Sequence, residues 1–344
     1  MANGIVPLDA SRLPELSAFL QSAFPLQPAA EFATPDVLAW KYFDPRLKDD
    51  GPRSFVALLD GRIVAHVGYS TTTFIRMGKP SVEIRSMSII DWYSHPLHRP
   101  DGGLLMLKAS RAADTQYTLG CSPEAATVLL ASGYSVVTTV RQFERVMNAG
   151  FFFRARRRPH WRHISGPLAY LSKTAFSPMS GAHTIELRQV QTFGPEIDSA
   201  IESATIPVVF SSRRSTLLNH YLRYPRKTMS GWLVFRDARL IGTAILNCWE
   251  RNRIRVGKLV DCFLIDEDAM TWRTTICALT EELRKQGSDI ISCYGSTPWM
   301  SKALTDNGFY LLGSTPFYLR DRKRLIPDNE EFHLTHLEAD LAYL

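Results

Sequence analysis

An internal repeat limits the folds open to this 344-residue chain more than any other feature. Leu38-Ala39-Trp40-Lys41-Tyr42-Phe43-Asp44-Pro45-Arg46 returns as Leu218-Asn219-His220-Tyr221-Leu222-Arg223-Tyr224-Pro225-Arg226, at an offset of 180. The run from Ser54 to Ala65, two strand-like stretches around an Asp60-Gly61 turn, returns from Gly231 to Gly242 around Asp237-Ala238, at an offset of 177. Asp114 to Pro123 returns as Asp289 to Pro298, and Ser132-Gly133-Tyr134 as Asn307-Gly308-Phe309, both at an offset of 175. Four matched segments in one order, drifting by only five residues, predict two copies of one domain of about 150 residues. So long a period argues for a duplicated domain and against a solenoid.

Each copy reads as a strand and helix (Val6 to Phe24; Ile185 to Ala204), a hairpin, a central strand running into a helix, another strand, a short helix and a final strand. The predicted fold class is α/β: two tandem domains, each a mixed central sheet flanked by helices. The expected boundaries are 1–148 for the first domain, 149–182 for a basic and aromatic linker, 183–325 for the second domain and 326–344 for a C-terminal tail.

With 45% hydrophobic residues the chain can bury a substantial core. It has no run of about 18 apolar residues, so no membrane span is expected. Its first residues lack the order of a secretory signal, so a cytoplasmic location is expected. Five cysteines without a C-x-x-C spacing read as reduced thiols, with neither a disulfide frame nor a metal site. A net charge of +6 favours anionic ligands without requiring nucleic acid. The densest positive run, Arg154 to Arg162, follows Phe151-Phe152-Phe153. It reads as a solvated linker, with an acidic carrier protein or an anionic surface as the partner it would suit.

The chemistry is expected at one junction. Ser86 to Tyr93 is rich in strand formers, Leu104 to Ala113 in helix formers, and between them lies His95-Pro96-Leu97-His98-Arg99-Pro100-Asp101-Gly102-Gly103. A helix start of this kind offers free N–H groups and the positive end of the helix dipole, a ready site for phosphate, and Arg99 adds a cation. In the second copy Asp261 echoes Asp91, but Asp266-Glu267-Asp268 follows, and three carboxylates would repel a phosphate. The copies are therefore expected to have divided the work.

Taken together, these segments resemble the GNAT superfamily of acyl-CoA-dependent N-acyltransferases in tandem form. Arg99-Pro100-Asp101-Gly102-Gly103-Leu104, after His95-Pro96, resembles the family's Arg/Gln-x-x-Gly-x-Gly/Ala signature, with Leu104 where a small residue is usual. Asp60-Gly61-Arg62-Ile63-Val64-Ala65 resembles its Asp-Gly-x-Ile-Val-Gly hairpin, and Ser122-Pro123 through Gly133-Tyr134 its closing helix and strand. The resemblance implies acyl-CoA, acetyl-CoA in the simplest case, as co-substrate, with its pyrophosphate on Arg99 and the amides of Gly102, Gly103, Leu104 and Leu105. It also implies a small-molecule amine acceptor, an amino sugar by analogy, in a pocket shaped by the second domain.

Attack on a thioester requires a neutral amine, hence a base within reach of its proton. Unbroken strand alternation would put Asp91, Tyr93 and His95 on one face. Asp91 is the first choice, ahead of His95, Tyr93 and Glu83. The tyrosine that serves many family members as general acid is replaced by Leu129 in one copy and Leu304 in the other, and Cys121 lies at the end of the neighbouring strand. Two other readings stand beside this one: a Fem-type transferase using aminoacyl-tRNA, suggested by the basic run, and a non-catalytic binding pair.

Overall fold

A computed structural model describes residues 4–23, 31–47, 51–77, 81–148, 184–251, 253–338 and 342. The first copy comprises β1 (Gly4–Pro7), α1 (Leu13–Ala23), α2 (Pro35–Phe43), β2 (Ser54–Leu59), β3 (Arg62–Arg76), β4 (Val82–Ser94), α3 (Arg99–Ala109), β5 (Thr115–Leu119), α4 (Pro123–Ala131) and β6 (Ser135–Val146). The second comprises β7 (Ile185–Val190), α5 (Glu196–Glu202), β8 (Val209–Ser211), α6 (Ser215–Leu222), β9 (Met229–Arg236), β10 (Arg239–Arg251), β11 (Ile254–Leu264), α7 (Ala269–Lys285), β12 (Ile290–Gly295), α8 (Pro298–Asp306) and β13 (Tyr310–Asp321). A last short strand, β14 (Phe332–His333), follows.

Local chemistry accounts for the repeated elements. Asp60 and Gly61 take the positive φ that a two-residue hairpin turn demands, and Asp237 and Ala238 do the same in the second copy. α4 and α8 each begin with a proline in the first turn and end in a left-handed glycine, Gly133 and Gly308. The amides of Tyr134 and Phe309 then return to the carbonyls of Leu129 and Leu304 at 3.1 and 3.0 Å. The repeated glycine-aromatic pair is thus a helix C-cap.

The strands form one sheet, in the order β1-β2-β3-β4-β5-β13-β6-β12-β11-β10-β9-β7. Each copy's last strand is exchanged. β13 pairs antiparallel with β5 of the first copy, β6 with β12 of the second, and the two exchanged strands pair with each other from Tyr310↔Glu144 to Leu319↔Ser135. Matching residues meet at the centre of the molecule: Trp40 stacks on His220, its own counterpart in the repeat, at 4.3 Å, and its Nε1 donates to the His220 carbonyl at 3.0 Å.

Two helices begin earlier than the sequence predicts. α3 starts at Arg99 instead of Leu104, since Pro100 suits a first turn where its missing N–H costs nothing. α7 starts at Ala269 instead of Arg273, capped by the Asp268 carboxylate on the Thr271 amide at 2.8 Å. Within the stretch read from the sequence as tail, residues 332–338 are buried in the interior, where β14 lies parallel to β8. The linker with its run Arg154 to Arg162 lies outside the described residues. Among the described residues no helix is long and apolar enough to cross a membrane.

Trp40→Ala should cost about 3–5 kcal/mol of stability, the usual loss for a buried large aromatic. The midpoint of a denaturant titration, compared with wild type, checks this.

Candidate active site

β4 and β5 run parallel from Ser86↔Thr115 to Ser88↔Tyr117, after which their pairing ends. The parting of the two strands opens a cavity of about 510 Å³ with largely apolar walls, among them Phe32, Ile90, Trp92, Leu119 and Leu129. Along its edge β4 carries a bulge. His66 faces Tyr93 but Gly68 faces Ile90, so β4 holds one residue more than β3 over this stretch, and Asp91 adopts a φ of 49°.

The extra residue interrupts the alternation between Asp91 and Tyr93, where Ser88 to Tyr93 all border the cavity, and β4 ends at Ser94, before His95. Asp91 and Tyr93 line the cavity. His95 does not; it is exposed and caps the turn Pro96–His98, its Nδ1 accepting from the Leu97 amide at 3.3 Å. Asp91 is buried and its Oδ2 is held twice, by Lys41 Nζ at 2.8 Å and by the Tyr42 hydroxyl at 2.5 Å. Its Oδ1 is buried and has no hydrogen-bond partner. Tyr42 reaches across β3 because position 68 is glycine: a Cβ there would overlap the phenol ring. Beneath the bulge, His66 Nδ1 lies 2.8 Å from the Asp91 carbonyl and Nε2 lies 2.8 Å from the Ser54 hydroxyl. A carbonyl can only accept, so the proton sits on Nδ1 and Nε2 accepts from Ser54.

The phosphate cradle takes a different form from the one expected. A helix starting at Arg99 uses the amides from Gly102 onward in its own hydrogen bonds, so those of Gly102, Gly103, Leu104 and Leu105 are not free. The Arg99 side chain is exposed at the start of the helix, and the same turn carries the buried Asp101 carboxylate, 3.4 Å from His98 Nδ1. Gly102 serves packing: a Cβ would come within 2.7 Å of Ser94 Oγ, and its carbonyl accepts from Trp92 Nε1 at 3.0 Å. A Cβ on Gly103 would meet nothing, Leu104 is exposed and Leu105 is in the core. Glu83 is exposed and paired with Arg214. Cys121 lies on the cavity rim, exposed, where burial of its surroundings pushes the thiol up and a hydrogen bond links it to Tyr318. Among the described residues no group of three or more His, Cys, Asp or Glu could hold a metal ion.

The corresponding cleft of the second copy is filled. β11 and β12 pair in parallel only as far as Leu259↔Cys293, and residues 332–338 lie between them beyond that point. His333 Nε2 donates to the Cys262 carbonyl at 3.0 Å, the Ser296 hydroxyl donates to the Phe332 carbonyl at 2.5 Å, and the His336 ring stacks on Tyr294 at 4.0 Å. Asp261, the counterpart of Asp91, accepts from Thr335 Oγ1 at 2.8 Å and from Arg213 Nη2 at 3.0 Å. Arg213 also holds Glu338 at 2.9 Å. The acidic stretch after β11 serves its own helix and sheet, Asp268 as the cap of α7 and Asp266 as a partner of Arg236 at 3.2 Å.

A second, small cavity lies where the copies meet, walled by residues of both, Trp40 and His220 among them, and it shares Ser88, Ile90 and Glu338 with the large one. Lys41, Tyr42, His66 and Glu338 were not singled out from the sequence. For Lys41 a signal existed, a lysine inside an otherwise apolar helical stretch; for Glu338 there was none.

No protein-family model matches the sequence, and no curated protein matches it. Solved structures do match in fold. N-myristoyltransferase of Saccharomyces cerevisiae, solved with bound myristoyl-CoA, superposes with a TM-score of 0.62 over 99% of this chain and 84% of its own, at 13% identity. The fold is that of a tandem GNAT-like acyltransferase. A GCN5-related N-acetyltransferase from Anabaena variabilis matches with a TM-score of 0.58 over 93% of this chain and 73% of its own, at 9% identity. Eis1 from Mycobacterium abscessus matches with a TM-score of 0.52 over 93% and 74%, at 16% identity.

Two consequences can be measured. Lys41→Met leaves the Asp91 carboxylate buried without its cation and should cost about 3–5 kcal/mol in denaturant unfolding, and adding Asp91→Leu should recover part of the loss. Burial holds His66 and His220 at about 4 and His333 at about 3, from an ordinary 6.5, so all three are neutral in the native state. As the pH falls from 6.5 toward 4 the unfolded chain binds protons that the native chain refuses. Their contribution to stability is therefore whole above pH 6.5 and lost below it, these three rings together taking up about three protons on unfolding near pH 5, and His336, which burial also holds well below its ordinary value, adds to the loss. Urea titrations at pH 7 and pH 5 should show the lower midpoint at pH 5.

Proposed function

We propose that the protein is an N-acyltransferase that moves an acyl group from acyl-CoA to an amine at the first copy's cleft. The observation that carries this reading is the contrast between the clefts. One is open, apolar-walled and edged by a buried carboxylate with an unpartnered oxygen; the other is closed by the chain's own C-terminal segment. The likeness in fold to N-acyltransferases supports the same chemistry.

Acyl-CoA supplies a thioester; transfer makes a C–N bond and breaks a C–S bond, the amine gives up a proton and the departing thiolate takes one. The residues divide these tasks. Arg99 and the N-terminal end of α3 would hold the pyrophosphate, and the apolar walls near Ile90, Leu119 and Leu129 would exclude water from the thioester. Asp91 would take the amine proton on Oδ1 while Lys41 and Tyr42 keep the carboxylate fixed through Oδ2. Leu129 on the wall offers no proton, so the thiolate would be protonated by solvent.

The test is calorimetric titration with acetyl-CoA, together with thiol release in the presence of a panel of primary amines. Arg99→Ala should weaken acetyl-CoA binding about tenfold, the loss of one charge-assisted contact. Asp91→Asn should lower turnover by about 10²–10⁴ with little change in acetyl-CoA affinity. A folded protein that binds neither acetyl-CoA nor free CoA would overturn the proposal.

A further inference from the structure

The two copies differ on their outer faces as well as in their clefts. α3 buries Leu105, Met106 and Ala109 against the sheet, and helical spacing then turns Leu104, Leu107 and Arg111 outward. Leu104 and Leu107 are exposed. So is Leu97, at 82%, in the middle of the turn Pro96–His98 that runs directly into the helix. α4 lies beside α3, with Ser132 Oγ at its end 3.9 Å from Met106 Sδ, and it exposes Val128 and Leu130. None of these five exposed side chains lines either cavity.

The corresponding helices of the second copy are ordinary solvated surfaces. α7 exposes one large hydrophobic side chain, Met270, and carries ion pairs on its outer face, Glu281 with Arg284 at 2.6 Å and Glu282 with Lys285 at 2.7 Å. α8 exposes none, and its Lys302 pairs with Asp306 at 2.9 Å. The face of α3 carries charge of one sign. Lys108 and Arg111 are exposed, and neither meets a carboxylate among the described residues. Arg322, also exposed, lies with Nη2 3.5 Å from Ser110 Oγ at the end of the helix. The one acidic residue of α3, Asp101, is buried; Asp114 is held by Lys323 at 2.7 Å, and Glu124 stands near Arg99 at the start of α4.

Exposed leucines among unpaired cations suit some partners and not others. In a twofold contact with a second copy, Lys108, Arg111 and Arg322 would confront their own counterparts, and like charges repel. An acidic protein would answer the charges, but leucines set apart on a convex helix offer no pocket for its anchor side chains. A bilayer with anionic headgroups supplies the opposite charge over a wide plane and an apolar layer just beneath it. We infer that the outer face of α3, with the turn before it, docks on an anionic lipid bilayer. Leu97, Leu104 and Leu107 enter the headgroup boundary, and Lys108, Arg111 and Arg322 meet the lipid phosphates. None of these side chains takes part in the acyl transfer proposed above, so the docking face stands or falls separately.

The test is co-sedimentation of the full chain with extruded vesicles, equal parts phosphatidylglycerol and phosphatidylcholine against phosphatidylcholine alone. Wild type should bind the anionic vesicles at least about tenfold more tightly than the neutral ones, and about 0.5 M NaCl should weaken that binding. Lys108→Glu with Arg111→Glu should weaken it at least about twentyfold, about fivefold for each basic residue removed. Leu97→Gln with Leu107→Gln should weaken it at least about tenfold. Because this variant keeps every charge, it separates the face from the basic run Arg154 to Arg162. All four positions are exposed, so both variants should keep the thermal midpoint of wild type. If the double leucine variant does not fold, Leu107→Gln alone takes its place and should weaken binding several-fold. Equal binding of neutral vesicles, undiminished binding by the folded leucine variant, or a wild type that stays in the supernatant each overturns the docking face. So does a dimer in sedimentation equilibrium that the leucine variant dissociates, which gives the face to a second copy. Binding of polyglutamate but of no vesicle, lost in Lys108→Glu with Arg111→Glu, gives it to an acidic protein and overturns the lipid assignment as well.

Discussion

The pairing of β6 with β13 is the contact on which the rest of the molecule depends. Each strand completes the sheet of the opposite copy, so neither half can close its own backbone hydrogen bonding without the other. Two domains joined by a linker would be free to move against each other; two joined by exchanged strands share one sheet and one seam. That seam is where Trp40 meets His220 and where the small cavity lies.

Given this shared frame, the two clefts began with one topology and met different ends. In each a parallel pair of strands parts after a few residues and leaves a gap beside a strand with an aspartate at its bulge. In the first copy the gap remains, and Lys41 with Tyr42 fixes the aspartate from one side. In the second, residues 332–338 enter the gap and tie its aspartate to Thr335 and Arg213. A buried network of this kind holds a segment in one place because each partner removed would leave a charge unpaired. The segment brings Glu338 with it to the wall that both cavities share, so closing one cleft also furnishes the other.

Much of the fold was legible in advance because its signals are local. Hairpin turns need positive φ, closing helices need a glycine cap, and strands need their alternation; each leaves residues at fixed offsets, which is why the repeat could be read from Asp60-Gly61, Gly133-Tyr134 and their echoes. The site was legible in part. Asp91 and Tyr93 were named and do line the large cavity, and His95 was named with them because an unbroken strand would align all three. His95 parts from them because β4 ends at Ser94, where Pro96 bends the chain into the turn that His95 caps. The cradle shows the same limit from another side: the glycines were visible, but their use was not, since Gly102 answers to Ser94 and Trp92 packed against it.

By itself, then, the sequence determined the duplication, the order of strands and helices, and the chemical inequality of the two strand-to-helix junctions, because spacing and residue type suffice for each. The tertiary structure alone decided the exchange of the last strands, the meeting of Lys41 with Asp91, and the return of the C-terminal segment to place Glu338 beside Arg213. Those three are contacts between residues 50 to more than 100 positions apart. No local propensity encodes them; they form because burial leaves backbone groups and charges that must find partners wherever the folded chain supplies them.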